Sequence, residues 1–412
     1  MKNIFFNTRF IDTVFYRRNP DFFPIFAASS ILKTVNGKVA IGSAMDLDRE
    51  QALSASIGEA IERYSLFSPF FCKTLSTNVK KLTKSMFPTY SEEQLSLSNF
   101  PYECFSEEKV LNWCEGYSQI NKESLWLPAS LVFLTEQREN FWSAVSTGAA
   151  FHYQLDKAKL NGVYEVIERD AFSIVWETRS ITPLIDVCAP WQDISVVRLN
   201  EFLKKMDLKL ILRDITTDLE IPVVLGVVVD NKNRRPQLAV GASSRLSLKE
   251  ACKRAAFEAY FTWVWMHDEK KSDKTYERAC FECEIPKVMA AHPFLYTFPQ
   301  QKIFATHLIE ESVSGKRESK DDRIGIEQEL ELVVKKLFEK DFDTIFVDIT
   351  QNEFAKYNFN VIKTIIPGLV PLSIGKWCRY LAHPRIYSVP EILNWPRYGI
   401  LKPDNGQPHP FP

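Results

Sequence analysis

Gly58-Glu59-Ala60-Ile61-Glu62-Arg63-Tyr64 and Tyr164-Glu165-Val166-Ile167-Glu168-Arg169-Asp170 carry the same signature, Glu-x-x-Glu-Arg, at two places along the chain. On a helix, side chains three residues apart share a face, with Cβ atoms about 5–6 Å from each other. Two such helices packed together would aim four carboxylates and two guanidiniums at one spot. Clustered carboxylates repel unless a hard cation sits among them, and the arginines then face whatever anion that cation carries. Mg2+ bearing a nucleotide's phosphates suits this arrangement, because Mg2+ takes oxygen ligands and bridges phosphate oxygens.

The bland alternative is a pair of exposed ion-paired helix faces, which are common and contribute little. The flanks argue against it. Small residues, Ala55-Ser56-Ile57-Gly58 and Asn161-Gly162, precede the two motifs and allow close approach, and apolar runs (Leu66-Phe67; Ala171-Phe172-Ser173-Ile174-Val175-Trp176) place the acidic face beside a core. A carboxylate-bridged di-iron site needs Glu-x-x-His on two helices. No histidine of this chain lies three residues after a Glu, so that rival drops out. Gly315-Lys316 and Gly375-Lys376 both lack the glycine of a P-loop, and no Gly-x-Gly-x-x-Gly follows a strand. With only 14 glycines, carboxylate-metal binding of phosphate fits better than a backbone cradle.

Apolar spacing of three and four predicts helices over Asp48–Phe67, Leu155–Glu177, Leu248–Met266 and Ile326–Phe338. Lys209–Thr216, Ile221–Asp230, Gln237–Ser244 and Thr344–Ile349 read as strands buried on both faces. Loose alternation gives an α+β (mixed α/β) class, with parallel against antiparallel pairing open. On the Leu248 helix, Arg254 and Glu258 read either as an intrahelical ion pair or as a phosphate-facing Arg with a further acidic ligand. Glu310–Arg323 is charged and poor in apolar residues, which suggests a surface loop. Gln407-Pro408-His409-Pro410-Phe411-Pro412 is stiff and extended by its prolines. It is either a frayed tail or a segment that delivers its end to a fixed place.

At 412 residues with 45% hydrophobic content the chain can bury one large core or two smaller ones. A net charge of -1 gives no reason to expect nucleic acid or an anionic membrane. No apolar run of membrane-spanning length and no signal-peptide core are present. The eight cysteines are scattered, as expected of reduced thiols in a cytoplasmic protein. Cys280-Phe281-Glu282-Cys283 has no second ligand pair to complete a zinc site.

Together these pieces resemble the YcaO superfamily, whose members bind ATP through two Glu-x-x-Glu-Arg helices instead of a P-loop. The resemblance runs from about Ile41 to Pro412. It adds Asp48-Arg49-Glu50-Gln51-Ala52, Thr147-Gly148-Ala149-Ala150, Ala251–Glu258 and Ile366-Pro367-Gly368-Leu369-Val370-Pro371-Leu372 to the motifs. It implies a catalytic domain over 41–412, preceded by an N-terminal segment 1–40, with Glu59, Glu62, Glu165 and Glu168 ligating Mg2+. Glu165 would also touch ATP, as would Arg63, Arg169, Arg254 and Glu258. Ser56 joins them, beside Ala55 where the family often has Ser. The Pro-x-Pro-x-Pro ending is similar to that of the azoline-forming cyclodehydratases, which implies a catalytic part for Pro408, Pro410 and Pro412. The implied substrate is a precursor peptide. The implied partners are a separate leader-peptide-binding protein and an FMN-dependent azoline dehydrogenase, and a homodimer stays open. The alternatives are a thioamide- or amidine-forming enzyme of the same family, or a non-catalytic scaffold in a peptide-modifying complex.

Overall fold

The computed structural model describes residues 13–17, 23–34, 37–69, 74–77, 90–98, 100–102, 111–134, 144–269, 291–311, 324–375, 378–400 and 402–412. Cys280–Cys283, most of the 310–323 stretch and much of the 1–40 segment lie outside them. The principal helices are α1 (Arg49–Leu66), α2 (Leu155–Thr178), α3 (Ile194–Lys205), α4 (Leu248–Glu269), α5 (Ile326–Phe338) and α6 (Arg385–Ile392). Four of these fall within a few residues of the sequence expectation. The chain divides into two compact units: 1–86, 105–166 and 325–367 form the first, and 87–104, 167–324 and 368–412 the second. The division passes through α2, after Val166.

In the first unit, β1 (Thr13–Arg17), β2 (Phe26–Lys33) and β3 (Val39–Asp46) form an antiparallel sheet. A second sheet runs β4-β5-β12-β13-β7, over Thr74–Thr77, Leu111–Ser118, Ile345–Asp348, Asn360–Ile365 and Ala149–His152. Its β6 (Ser124–Pro128) pairs with β5. Helix α1 begins where the Asp48 carboxylate accepts the N–H groups of Glu50 and Gln51, a side-chain N-cap. Leu53, Ile57, Ala60, Ile61 and Tyr64 then face inward and pack with Leu127, Phe133, Ile345, Val347 and Val361. Gly42 sets the spacing between β3 and α1. A Cβ there would lie 2.0 Å from the Ser56 carbonyl oxygen and 2.3 Å from the Ala60 nitrogen, so only glycine lets the motif helix sit this close.

In the second unit, β11-β10-β9-β8 (Leu238–Ser244, Val223–Asp230, Leu208–Asp214, Leu184–Ile185) form an antiparallel sheet whose β10 and β11 are buried throughout. Every strand pairing among the described residues is antiparallel, which settles the question the sequence left open. Gly226 and Gly241 are register partners. A Cβ on Gly226 would reach 2.3 Å from the Ala255 oxygen, and one on Gly241 would reach 2.4 Å from the Ala259 nitrogen. The backbone of α4 therefore lies directly on the sheet. From Asp170 to Thr178 every residue of α2 is buried, as expected of a helix that is apolar nearly all round.

Candidate functional site

The first unit holds three of the four motif carboxylates, and each is tied by one oxygen to a main-chain N–H. Ser43 N–H donates to Glu59 Oε2 at 2.7 Å, Phe151 N–H to Glu62 Oε1 at 2.7 Å, and Gly148 N–H to Glu165 Oε2 at 3.0 Å. Among the described residues β3 and β7 are the edges of their sheets, so the first two bonds satisfy donors that no described strand takes up. Arg63 Nη2 meets Glu59 Oε1 at 2.6 Å, one helical turn away.

Burial raises the Glu62 carboxyl well above its ordinary 4.5; the Phe151 N–H opposes this, and the charges of Glu59 and Glu165 push the same way as burial. Glu59 is raised too, by the crowding of protein around it. Arg63 and the Ser43 N–H offset this and Glu165 adds to it, although the Glu59 side chain stays 31% accessible. Three oxygen donors that repel one another, with no imidazole or thiolate among them, match a hard divalent cation. Among the described residues, no three His, Cys, Asp or Glu side chains already close on a common point as a ready-made metal site. The carboxylates are aligned by the main chain and not by one another.

The second unit holds Glu168 and Arg169. Arg169 Nη1 contacts Glu168 Oε1 at 2.6 Å, and its guanidinium stacks 4.0 Å above the centre of the Phe411 ring. The proline-rich segment is not frayed: Pro408, His409, Pro410 and Phe411 are all buried. Trp176 Nε1–H donates to the Gln407 carbonyl at 3.1 Å, and the Tyr296 hydroxyl to that of Pro408 at 2.6 Å. His409 Nε2 reaches the Ser373 carbonyl at 2.9 Å, and His409 Nδ1 lies 3.4 Å from His292 Nδ1. Burial holds both imidazoles neutral, His292 down at about 4 and His409 well below its usual value. The Phe172 ring packs on His409 and Phe411 from α2. The segment thus lies along the helix that carries the second motif.

The remaining expected residues are each held by local partners. Ser56 is fully buried, and its hydroxyl bonds Ser30 Oγ at 2.8 Å and the Leu53 carbonyl at 2.9 Å, so the protein itself occupies this group. Arg254 Nε pairs with Glu250 Oε1 at 2.7 Å, one turn before it, and not in the Glu258 direction that its spacing suggested. Glu258 lies where α4 crosses Gly241.

Sequence reasoning missed two supports. Asp170, next to Arg169, is wholly buried and accepts from Val370 N–H at 2.8 Å and from Arg385 Nε and Nη2 at 2.9 and 2.8 Å; Arg385 also reaches Asp218 at 2.8 Å. Lys363 is buried in β13, with Nζ donating to the Val145 and Thr147 carbonyls at 2.7 Å each. Burial pulls its ammonium down to about 8, opposed by the charge of Glu165.

The family described as YcaO cyclodehydratase, ATP- and Mg2+-binding, matches residues 45–370. The chain belongs to the YcaO family. ATP and Mg2+ are the ligands of that family, and the all-oxygen donor set above fits the metal. An uncharacterized protein of Methanothermobacter thermautotrophicus is 23% identical over 365 residues, covering 85% of this chain and 87% of its own. A heterocyclase solved in complex with substrate and cofactor has the same fold, with a TM-score of 0.74 and 20% identity over 97% of this chain. The present chain spans about half of that protein, 55% of its length. A chain of the Escherichia coli microcin synthetase McbBCD complex with pro-MccB17 bound matches over 98% of both chains, with a TM-score of 0.66 and 14% identity. No helix among the described residues is long and apolar enough to cross a membrane.

Proposed function

We propose that this YcaO protein is the ATP-dependent catalytic component that closes thiazoline or oxazoline rings in a ribosomally made precursor peptide. The observation that carries the reading is the set of three main-chain-tethered, mutually repelling carboxylates, Glu59, Glu62 and Glu165, which a divalent cation would relieve. Glu168 would complete the ligands for Mg2+. Arg63 and Arg169 would meet phosphate by leaving or sharing their present carboxylate partners, and Arg254 and Glu258 would complete the nucleotide pocket. The family description supports Mg-ATP, and the heterocyclase and microcin synthetase structures support a peptide substrate.

In the proposed reaction a Cys, Ser or Thr side chain attacks the carbonyl of the preceding amide. The resulting hemiorthoamide oxygen takes the γ-phosphoryl group of ATP, and phosphate departs as the C=N bond of the ring forms. An amide oxygen is a poor leaving group and its phosphate ester a good one. The oxygen lost from the peptide therefore appears in phosphate, beside ADP. Bound Mg2+ would supply charge neutralisation on the phosphates. The protein's task is positioning and electrostatics. The Ser43, Phe151 and Gly148 N–H groups hold the carboxylates in place, and Phe411 backs the Arg169 guanidinium. Pro408, Pro410 and Pro412 keep the segment extended along α2, and their catalytic role belongs to this proposal. A leader-peptide-binding protein and an azoline-oxidising FMN dehydrogenase are the proposed partners, in the cytoplasm.

Phosphate release from Mg-ATP, measured with a candidate peptide and partner, tests the reading. Glu59→Ala and Glu168→Ala should each lower the rate by about 100-fold or more, as expected for losing a charge-stabilising group. Wild-type rates in both variants would refute the assignment.

A further inference from the structure

We propose that Lys363, which lies outside every recognised motif, is a positioning residue that sets the orientation of Glu165; this rests on the Mg-ATP reading of the carboxylates above. Lys363 is registered against Ala149 in the β13–β7 pairing, and its side chain is 2% exposed. Burying an ammonium is unfavourable unless its protons are taken up. Here they go to main-chain carbonyls, those of Val145 and Thr147, and not to a carboxylate in direct contact. A lysine kept in the interior only to bridge two carbonyls is an expensive clamp, and what it clamps is the turn leading into Gly148.

That turn has little freedom left. The neighbouring Thr364 N–H donates to the Gly148 carbonyl at 2.8 Å. Gly148 has a φ of +85°, and a Cβ on it would lie 2.3 Å from the Thr364 oxygen. Consecutive residues of β13 therefore hold the carbonyls of 145, 147 and 148. The N–H of Gly148 is then aimed at Glu165 Oε2. Removing the ammonium takes the donor from two part-buried carbonyls and loosens the turn, so the hydrogen bond from Gly148 to Glu165 loses its direction. Supporting hydrogen bonds of this kind, behind a metal ligand, typically change metal affinity by about 10–100-fold.

The test is a double-mutant cycle read by Mn2+ binding in the presence of ATP, followed by electron paramagnetic resonance, on Lys363→Met, Glu165→Gln and the double variant. Lys363→Met should weaken Mn2+ binding by about 10-fold on its own and by little more on top of Glu165→Gln. Its loss of thermal stability should be similar in both backgrounds. Lys363→Gln, which keeps a neutral amide donor on a shorter side chain, should fall between wild type and Met, and it carries the test if the Met variant does not fold. Wild-type Mn2+ affinity in the Lys363 variants, or the same penalty with and without Glu165, would overturn the proposal. If wild-type protein binds no Mn2+ with ATP, it is the Mg-ATP reading that falls, and this inference with it.

Discussion

At the scale of single residues, Glu62 states the problem most clearly. Its carboxyl is raised because burial disfavours the charge and because Glu59 and Glu165 lie near it. The folded protein then holds a proton that the unfolded chain has released. Metal-free stability from this group is therefore full below about 4.5 and falls as pH rises through the folded value, by at most about 1.4 kcal/mol per pH unit. Thermal melts in EDTA between pH 5 and 8 should show the decline, and Glu62→Gln should flatten it. The same variant should lose the stabilisation that Mg2+ gives the wild type, and an unchanged Mg2+ response would contradict the ligand role. Residue identity was the most legible level of the sequence, because the motif spacing alone names these carboxylates. Direction was not: Ser56 turns inward to Ser30, and Arg254 turns back to Glu250, for reasons that lie in the neighbouring elements.

At the scale of elements, α1 and α2 are helices whose apolar spacing can be read from the sequence, and their observed ends differ from the expected ones by one residue at most. The sequence pattern singles out β9, β10, β11 and β12 but none of β1 to β8, nor β13. Runs such as Val39–Asp46, with Gly42, Ser43 and Ala44, carry little strand propensity and take their form from pairing. The glycine in β3 is nonetheless decisive. Gly42→Ala should destabilise the protein by about 2–3 kcal/mol or more, since the added methyl meets backbone atoms of α1 that cannot step aside; a Tm within a degree of wild type would contradict this packing. The proline-rich segment shows the same division. Its stiffness is legible, but its anchoring through His409, Phe411, Tyr296 and Trp176 depends on partners far away in sequence. Phe411→Leu keeps the apolar fill and removes the ring under Arg169. It should cost about 1 kcal/mol of the cation–π contact and slow ATP turnover several-fold more than it lowers stability. A turnover loss no greater than that of a remote core variant of equal stability would argue against a link between the segment and the motif arginine.

At the scale of the whole chain, the α+β class and the YcaO family follow from pattern and resemblance, and the family match over residues 45–370 bears that out. The supports of the motifs were invisible to the sequence. Asp170 and Arg385 are 215 residues apart, and Lys363 is the one charged residue in a six-residue strand of mixed polarity. Asp170 stands beside the second motif, but nothing local marks its partner Arg385 or marks Lys363, because their meaning arises only when the chain has folded. The central claim is that the Glu-x-x-Glu-Arg carboxylates bind nucleotide through Mg2+. Calorimetric titration of ATP into the protein, with Mg2+ and then with EDTA, tests it most directly, using wild type, Glu62→Gln and Glu165→Gln. The account predicts binding that needs Mg2+ and weakens by about 10-fold or more in each variant. Equal ATP affinity in EDTA, or affinity unchanged in both variants, would contradict it.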